Sequence, residues 1–368
     1  MARINVTRPF LPPLHDYNQG LKSIWESNQL TNGGRFTEEL SQQLGGFFQS
    51  PHVSLYANAT LALIASLRCL EISSGKVITT PFTFAATAQS IIWSGAAPVF
   101  VDIDPITLNI STDCIYEAID NDVTAVVPVH VFGNVVDTGP LADLREKYGT
   151  RVVIDAAHAF GNSPAHLRAV STADASVVSF HATKMFNSVE GAAVLTSNPS
   201  THDRLERFKN FAFDGDGVST DIGLNAKMSE LHALMGVAQF KYVQQIEKDR
   251  ARVAERYATN LSSLNGIRLV NIENHNNNSY FPIIITDEYP LDRDAIIEIF
   301  KCEEIYVRKY FYPLLSDMPA IRQRSHICGG LQNARYVAQR ILCLPMYTGL
   351  SNADIDRVSE ILVKYSST

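Results

Sequence analysis

No run of 18 apolar residues occurs in this chain of 368 residues, so no membrane-spanning helix is expected. The opening, "MARINVTRPFLPPL", has neither the apolar core nor the cleavage site of a secretory leader. Cysteine is scarce. Cys69, Cys114, Cys302, Cys328 and Cys343 are odd in number and widely scattered, with no Cys-x-x-Cys pair. That excludes a disulfide framework and a zinc site, makes most of the cysteines small core fillers, and predicts a reducing, cytoplasmic compartment and no metal. Positive charge is not in excess either: 31 Lys and Arg against 38 Asp and Glu leave a net charge of -7. A nucleic-acid partner is therefore not expected. A nicotinamide-dependent dehydrogenase would need a glycine-rich fingerprint after a strand. The nearest stretch, "GDGVST" at 215–220, follows a helix-like segment and lacks the final glycine. There is no internal repeat and no low-complexity tract.

What is present is a sizeable apolar fraction, 46%, arranged in short β-branched runs. "HVSLY" (52–56), "KVITT" (76–80), "APVFVD" (97–102), "TAVVPVHV" (124–131), "RVVIDA" (151–156), "ASVVSF" (175–180) and "AAVLT" (192–196) read as strands. Helical patterns such as "TLALIASLRCL" (60–70) and "FAATAQSIIWSG" (84–95) lie between them. Continuous apolar strands separated by helices predict an α/β fold with a mostly parallel sheet covered on both faces. From about residue 228 the pattern becomes long and periodic, as in one extended helix. It leads into a smaller α/β unit containing "SYFPIIIT" (279–286), "DAIIEIF" (294–300) and a last helix at 352–365. The expected division is a large domain over 1–240 and a small one over 241–368.

Ligands of open α/β sheets bind at the carboxyl ends of the strands, and several polar residues fall there. Asp155 ends "RVVID", where it could cap the next helix or face a cationic group. Lys184 follows the strand "ASVVSF" by four residues, an unusual place for a residue seldom found inside. Paired, the two meet the needs of pyridoxal 5′-phosphate: a lysine to bond the aldehyde and a carboxylate to keep the ring nitrogen protonated. "SLYANATLAL" reads as a strand, a turn and a helix starting near Thr60, and such a helix N-terminus is an anion site. Ser179 could add a phosphate donor, and Phe84 could stack on a ring.

These motifs resemble the DegT/DnrJ/StrS family of nucleotide-sugar aminotransferases. The resemblance runs along the whole chain: "LTNGG" (30–34), "NATLAL" (58–63), "PFTFAAT" (81–87), "PVFVDID" (98–104), "PVHVFG" (128–133), "IDAAHAFG" (154–161), "SFHATK" (179–184), "GLNAKMSELHALMG" (223–236) and "LPMYTGLS" (344–351). It implies the fold type I architecture of pyridoxal-phosphate transferases. It further implies Lys184 as the cofactor lysine and catalytic shuttle, Asp155 as partner of the ring nitrogen, and His158 at the phenolic oxygen. Ala59, Thr60 and Ser179 would hold the phosphate, with Phe84 over the ring. Asn225 would reach the phosphate from a second subunit, so the resemblance implies a homodimer with active sites at the subunit interface. Glutamate is the implied donor, with the cofactor passing through its pyridoxamine 5′-phosphate form.

Family members acting as dehydratases carry histidine in place of the lysine, so Lys184 favours transfer. "SFHxxK" resembles enzymes aminating C4 of 4-keto-6-deoxy sugars, and "VTRPFLPPL" and "YVRKYFYPLLSD" resemble the viosamine-forming members. The implied reaction converts dTDP-4-keto-6-deoxy-D-glucose to dTDP-4-amino-4,6-dideoxy-D-glucose for O-antigen or another surface glycan. A UDP- or GDP-linked keto sugar and amination at C3 are the alternatives, and a non-catalytic regulatory protein is the alternative of a different class. His181 is read equally as a strand-end histidine or a sugar contact. Thr31, Asn32, Arg308 and Tyr310 are the remaining candidates for the substrate wall. Three departures stand out. Ala59 occupies a usual glycine position and Ala192 replaces the second glycine of Glu-Gly-Gly. Tyr310-Phe311-Tyr312-Pro313 replaces His-Tyr-x-Pro.

Overall fold

The protein is described here by a computed structural model covering residues 3–161, 173–270 and 277–366. Its main sheet has eight strands in the order β1-β7-β6-β5-β4-β2-β3-β10. These are β1 (His52–Tyr56), β2 (Lys76–Thr79), β3 (Ala97–Phe100), β4 (Val123–Val127), β5 (Arg151–Asp155), β6 (Ala175–Ser179), β7 (Ala192–Thr196) and, from the C-terminal part, β10 (His326–Ile327). β7 is antiparallel to both neighbours, whereas the ladder from β6 through β10 is parallel.

The apolar runs are continuous because both faces of the sheet are buried. Val152 and Ile154 of β5 enter one apolar cluster, with Phe36, Leu40 and Leu234. Val153 between them enters another, with Leu63 and Leu67 of a helix on the opposite face. On the first face lie α1 (Leu14–Ser27) and α2 (Arg35–Phe48); on the second lies α3 (Ala59–Cys69), beside α4 (Ala85–Ser94).

Two expected elements come out differently. The strand expected to reach residue 131 stops at Val127, because Pro128 has no N–H to extend the ladder. The extended helix expected from 228 onward is two helices, α5 (Glu230–Phe240) and α6 (Val243–Leu261). The break at Tyr242 is pinned from the N-terminal segment. Its hydroxyl donates to Asp16 Oδ2 at 2.7 Å, and its ring packs on Phe10 at 5.6 Å between centroids. Beyond it, α6 and α7 (Asn352–Lys364) cover an antiparallel sheet in the order β11-β9-β8, made of β8 (Ile267–Leu269), β9 (Phe281–Ile285) and β11 (Ile341–Leu344). The cysteines are free: Cys69 and Cys343 are buried, Cys114 and Cys328 pack partly buried against the core, and Cys302 is exposed. No described helix is long and apolar enough to cross a membrane.

Candidate active site

At the carboxyl ends of the parallel strands a cavity of about 580 Å³ opens. Asp155, the last residue of β5, lines it and is 4% exposed. Its Oδ1 accepts the Ala157 N–H at 3.1 Å and its Oδ2 accepts the Thr87 hydroxyl at 2.7 Å. Thr87 has one proton to give, so the 3.0 Å contact with Thr83 makes Thr83 the donor there. A short hydroxyl chain from the start of α4 thus ends on the carboxylate. Burial raises the Asp155 pKa, against the pull of Thr87, Ala157 and Lys184.

His158 follows on the turn after β5 and is 6% exposed. Its Nδ1 accepts the Phe132 N–H at 3.2 Å, which places the ring proton on Nε2. Burial holds its pKa well below the usual histidine value, and the nearby Lys184 charge adds to this. The imidazole is a neutral donor. Lys184 sits in the turn after β6, its N–H donating to His181 O at 2.8 Å. The side chain is half-buried and its enclosed amine lies 3.3 Å from the Tyr280 hydroxyl. Burial pushes the amine pKa down to about 8, although Asp155 and Tyr310 oppose the shift.

The turn between β1 and α3 supplies the anion end. Asn58 caps α3, its side chain accepting the Leu61 N–H at 3.0 Å. That leaves Ala59 and Thr60 in the first turn, whose N–H groups have no acceptor within the helix. Ala59 is helical rather than in the positive-φ region, so its Cβ is no obstacle at a usual glycine position. Ser179, 5% exposed at the end of β6, lines the same cavity. Phe84, the residue before α4, is 60% exposed on its wall.

The outer wall brings in His181, Glu190, Arg308 and Tyr310. Thr183 N–H donates to His181 Nδ1 at 3.2 Å, leaving the Nε2 side toward Glu190 at 3.6 Å. Arg308 Nη1 donates to the Tyr310 hydroxyl at 2.5 Å. Thr31, Asn32 and Asn225 are not brought to this cavity. Asn32 borders a separate one of about 460 Å³ with Lys209 and Lys227, and Asn225 Oδ1 accepts from Lys227 Nζ at 2.8 Å. The "NGG" turn has its own explanation. Glu230, 1% exposed, caps α2 by accepting the Phe36 and Thr37 N–H groups at 2.8 and 3.0 Å. A Cβ on Gly34 would lie 2.5 Å from its carboxyl carbon.

The Asn/Thr helix cap that the "SLYANATLAL" turn offers as its plainer reading is made by Asn58. Sequence reading missed Thr87, although it lies within "PFTFAAT", three residues after Phe84. It missed Tyr280 for want of any local signal, since it lies 96 residues from Lys184.

An enclosed amine, a buried carboxylate and a helix N-terminus facing one cavity have the chemistry to receive a phosphorylated carbonyl compound. Comparison with known proteins gives the class. The sequence model of the DegT/DnrJ/EryC1/StrS aminotransferase family matches residues 15–363, and the chain belongs to that family. It is 39% identical over 351 residues to the dTDP-4-amino-4,6-dideoxy-D-glucose transaminase of Shigella dysenteriae, with 95% of each chain covered. Among solved structures, it matches DesI in the presence of its TDP-sugar product with a TM-score of 0.92 and 32% identity, over 99% of this chain and 93% of that one. A Bacillus cereus protein assigned as a PLP-dependent aminotransferase matches with a TM-score of 0.91 and 29% identity, over 98% of this chain and 100% of that one. The α/β architecture expected from the sequence is that of the pyridoxal-phosphate aminotransferases.

Proposed function

We propose that this chain is a pyridoxal-phosphate-dependent transaminase moving the amino group of L-glutamate to C4 of dTDP-4-keto-6-deoxy-D-glucose. The products are dTDP-4-amino-4,6-dideoxy-D-glucose and 2-oxoglutarate, the former a precursor for O-antigen or another surface glycan. The observation that carries the reading is the convergence of Lys184, Asp155 and the α3 N-terminus on one cavity. The Shigella relative's name supports the substrate.

The donor set fits the cofactor. Bound there, pyridoxal phosphate supplies an aldehyde for amine exchange and a ring that takes up electrons from the substrate. Ala59 and Thr60 N–H groups and the Ser179 hydroxyl would hold the phosphate. Asp155, fixed by Thr87 and Ala157, would offer an anion to the ring nitrogen, and His158 would donate its Nε2 proton to the phenolic oxygen. Phe84 would cover the ring. Lys184 would anchor the aldehyde, and its freed amine would serve as the acid and base of the exchange. Burial, which brings the amine pKa down to about 8, leaves far more of the free amine unprotonated at neutral pH than an ordinary lysine would have.

Arg308 and Tyr310 meet the anionic parts of donor and acceptor, and His181 meets the sugar. Asn225 of a second copy completes the phosphate site, which makes the working unit a homodimer. Thr31 and Asn32 would then serve the neighbouring site. The large domain ends at 240 and the small one begins at 241, a division supported by the break between α5 and α6. We place the enzyme in the cytoplasm.

The test is spectroscopic and chemical. Loaded with pyridoxal phosphate, the protein should show a visible absorption band that collapses on adding glutamate. Aminated product should then appear with dTDP-linked 4-keto-6-deoxyglucose and not with UDP- or GDP-linked keto sugars. A Lys184→Ala variant that still turns over, or a protein that never takes up the cofactor, overturns the reading. Product from a UDP- or GDP-sugar alone overturns the substrate.

A further inference from the structure

The mechanism above gives Lys184 two tasks, and the second requires its amine to stay in place when it is not bonded to the aldehyde. Among the described residues, the Tyr280 hydroxyl is the hydrogen-bond partner of that amine, at 3.3 Å. Tyr280 immediately precedes β9 of the small sheet, and its ring is built into the wall of the cavity. It lies tilted on His158 at 4.7 Å, tilted on Phe132 at 5.5 Å and edge-on to Tyr310 at 5.8 Å. Three aromatic contacts leave the phenol little freedom.

The other groups facing the amine cannot do the same work. Asp155 is an acceptor only, engaged by Thr87 and Ala157. His158 is engaged at Nδ1 by the Phe132 N–H, and Tyr310 by Arg308. Among the described residues, none of these three is hydrogen-bonded to the amine. A neutral phenol has both a proton and lone pairs, so it accepts from an ammonium and donates to a free amine without changing its own charge. Around Tyr280, burial and Cys343 keep the phenol protonated, and Arg250 and Arg308 oppose without reversing this.

We propose that Tyr280 is a positioning residue for the transamination, its hydroxyl holding the Lys184 amine in reach of the carbon it serves in both protonation states. The proposal rests on the transaminase reading of the site. It also means that the segment leading into the small sheet helps to place the amine.

Tyr280→Phe removes one oxygen and keeps the ring contacts. Steady-state kinetics of the cofactor-loaded variant should show kcat lower by roughly tenfold to a hundredfold, the scale of a misplaced catalytic group. KM for glutamate and the affinity for pyridoxal phosphate should stay within about threefold. With α-deuterated glutamate, the isotope effect on the variant should be at least as large as on the wild type, because proton movement becomes the slow step. Wild-type kcat in the variant overturns the proposal. So does a loss shared among melting temperature, cofactor affinity and KM, which marks a packing role. A wild-type protein that takes up no cofactor strikes instead at the transaminase reading, so the two failures are distinguishable.

Discussion

In the depth of the cavity Asp155 and His158 are 4% and 6% exposed, and backbone N–H groups or a buried hydroxyl fix their orientation. At its mouth, His181 and Glu190 are 46% and 50% exposed by side chain and stand 3.6 Å apart, while Arg308 leans on Tyr310. The deep groups carry displaced pKa values because the low-dielectric surroundings penalise charge and sharpen each neighbour's field. The outer pair is screened by water and salt, so its charges contribute little to stability. On the proposed reading, the contrast puts reaction in the depth, among residues that cannot move alone, and recognition at the mouth, among residues that could be exchanged at small cost.

The largest break in that contrast is Asp155→Asn. It removes the anion offered to the ring nitrogen on the proposed reading, so turnover should fall by roughly a hundredfold to a thousandfold, the scale of losing one preorganised electrostatic contact. The same variant loses the carboxylate that draws the Lys184 pKa upward, leaving burial opposed only by Tyr310. The amine should therefore titrate below about 8 in the cofactor-free variant, with its neutral form present at lower pH. Acylation of Lys184 followed by mass spectrometry across pH reads this directly. A titration moving upward would show that Asp155 does not act on the amine.

Arg308→Ala probes the mouth and should have a smaller effect. Its guanidinium is exposed, so its loss should raise KM for the nucleotide sugar by about tenfold, the size of an exposed charge-assisted contact, with kcat changed by less than about threefold. Arg308→Lys should recover part of the loss. A kcat effect as large as that of Asp155→Asn would dissolve the division between depth and mouth.

Much of the depth was legible in the sequence. Asp155, Ser179 and Lys184 sit at or just past the ends of β-branched runs, and the topology of a parallel sheet brings such ends together wherever they lie in the chain. The seven strands expected in the first two-thirds are present, because a sheet buried on both faces writes itself as unbroken Val, Ile and Ala. What escaped was tertiary. Tyr280 reaches Lys184 across 96 residues, from a strand whose apolar run looks like ordinary core. The break at Tyr242 depends on Asp16 and Phe10, which no local propensity records. Glu230 reads as one more surface carboxylate in a helix, yet it is buried and caps a helix that begins 195 residues earlier in the chain, at Arg35. The roles proposed for Thr31, Asn32 and Asn225 would need a second subunit, and the geometry of a single chain leaves them outside the cavity.

The turn at 30–34 belongs to neither side of the contrast, and its glycines separate scaffold from substrate wall. In this chain Gly34 is required by Glu230: an added Cβ at 2.5 Å from the carboxyl carbon and 2.7 Å from Oε2 would displace a carboxylate that is 1% exposed. The displaced group would give up the Phe36 and Thr37 N–H bonds and uncap α2. Gly34→Ala should accordingly destabilise the fold by about 1–3 kcal/mol, the usual range for overpacking a tight site, seen as a melting temperature lower by several degrees. Turnover measured well below that temperature should change by less than about twofold. If the melting temperature holds while KM for the nucleotide sugar rises, the turn is part of the recognition surface, as its place beside Thr31 and Asn32 suggests from sequence. The mouth of the site would then extend onto a stretch of backbone that this chain uses only to seat a helix.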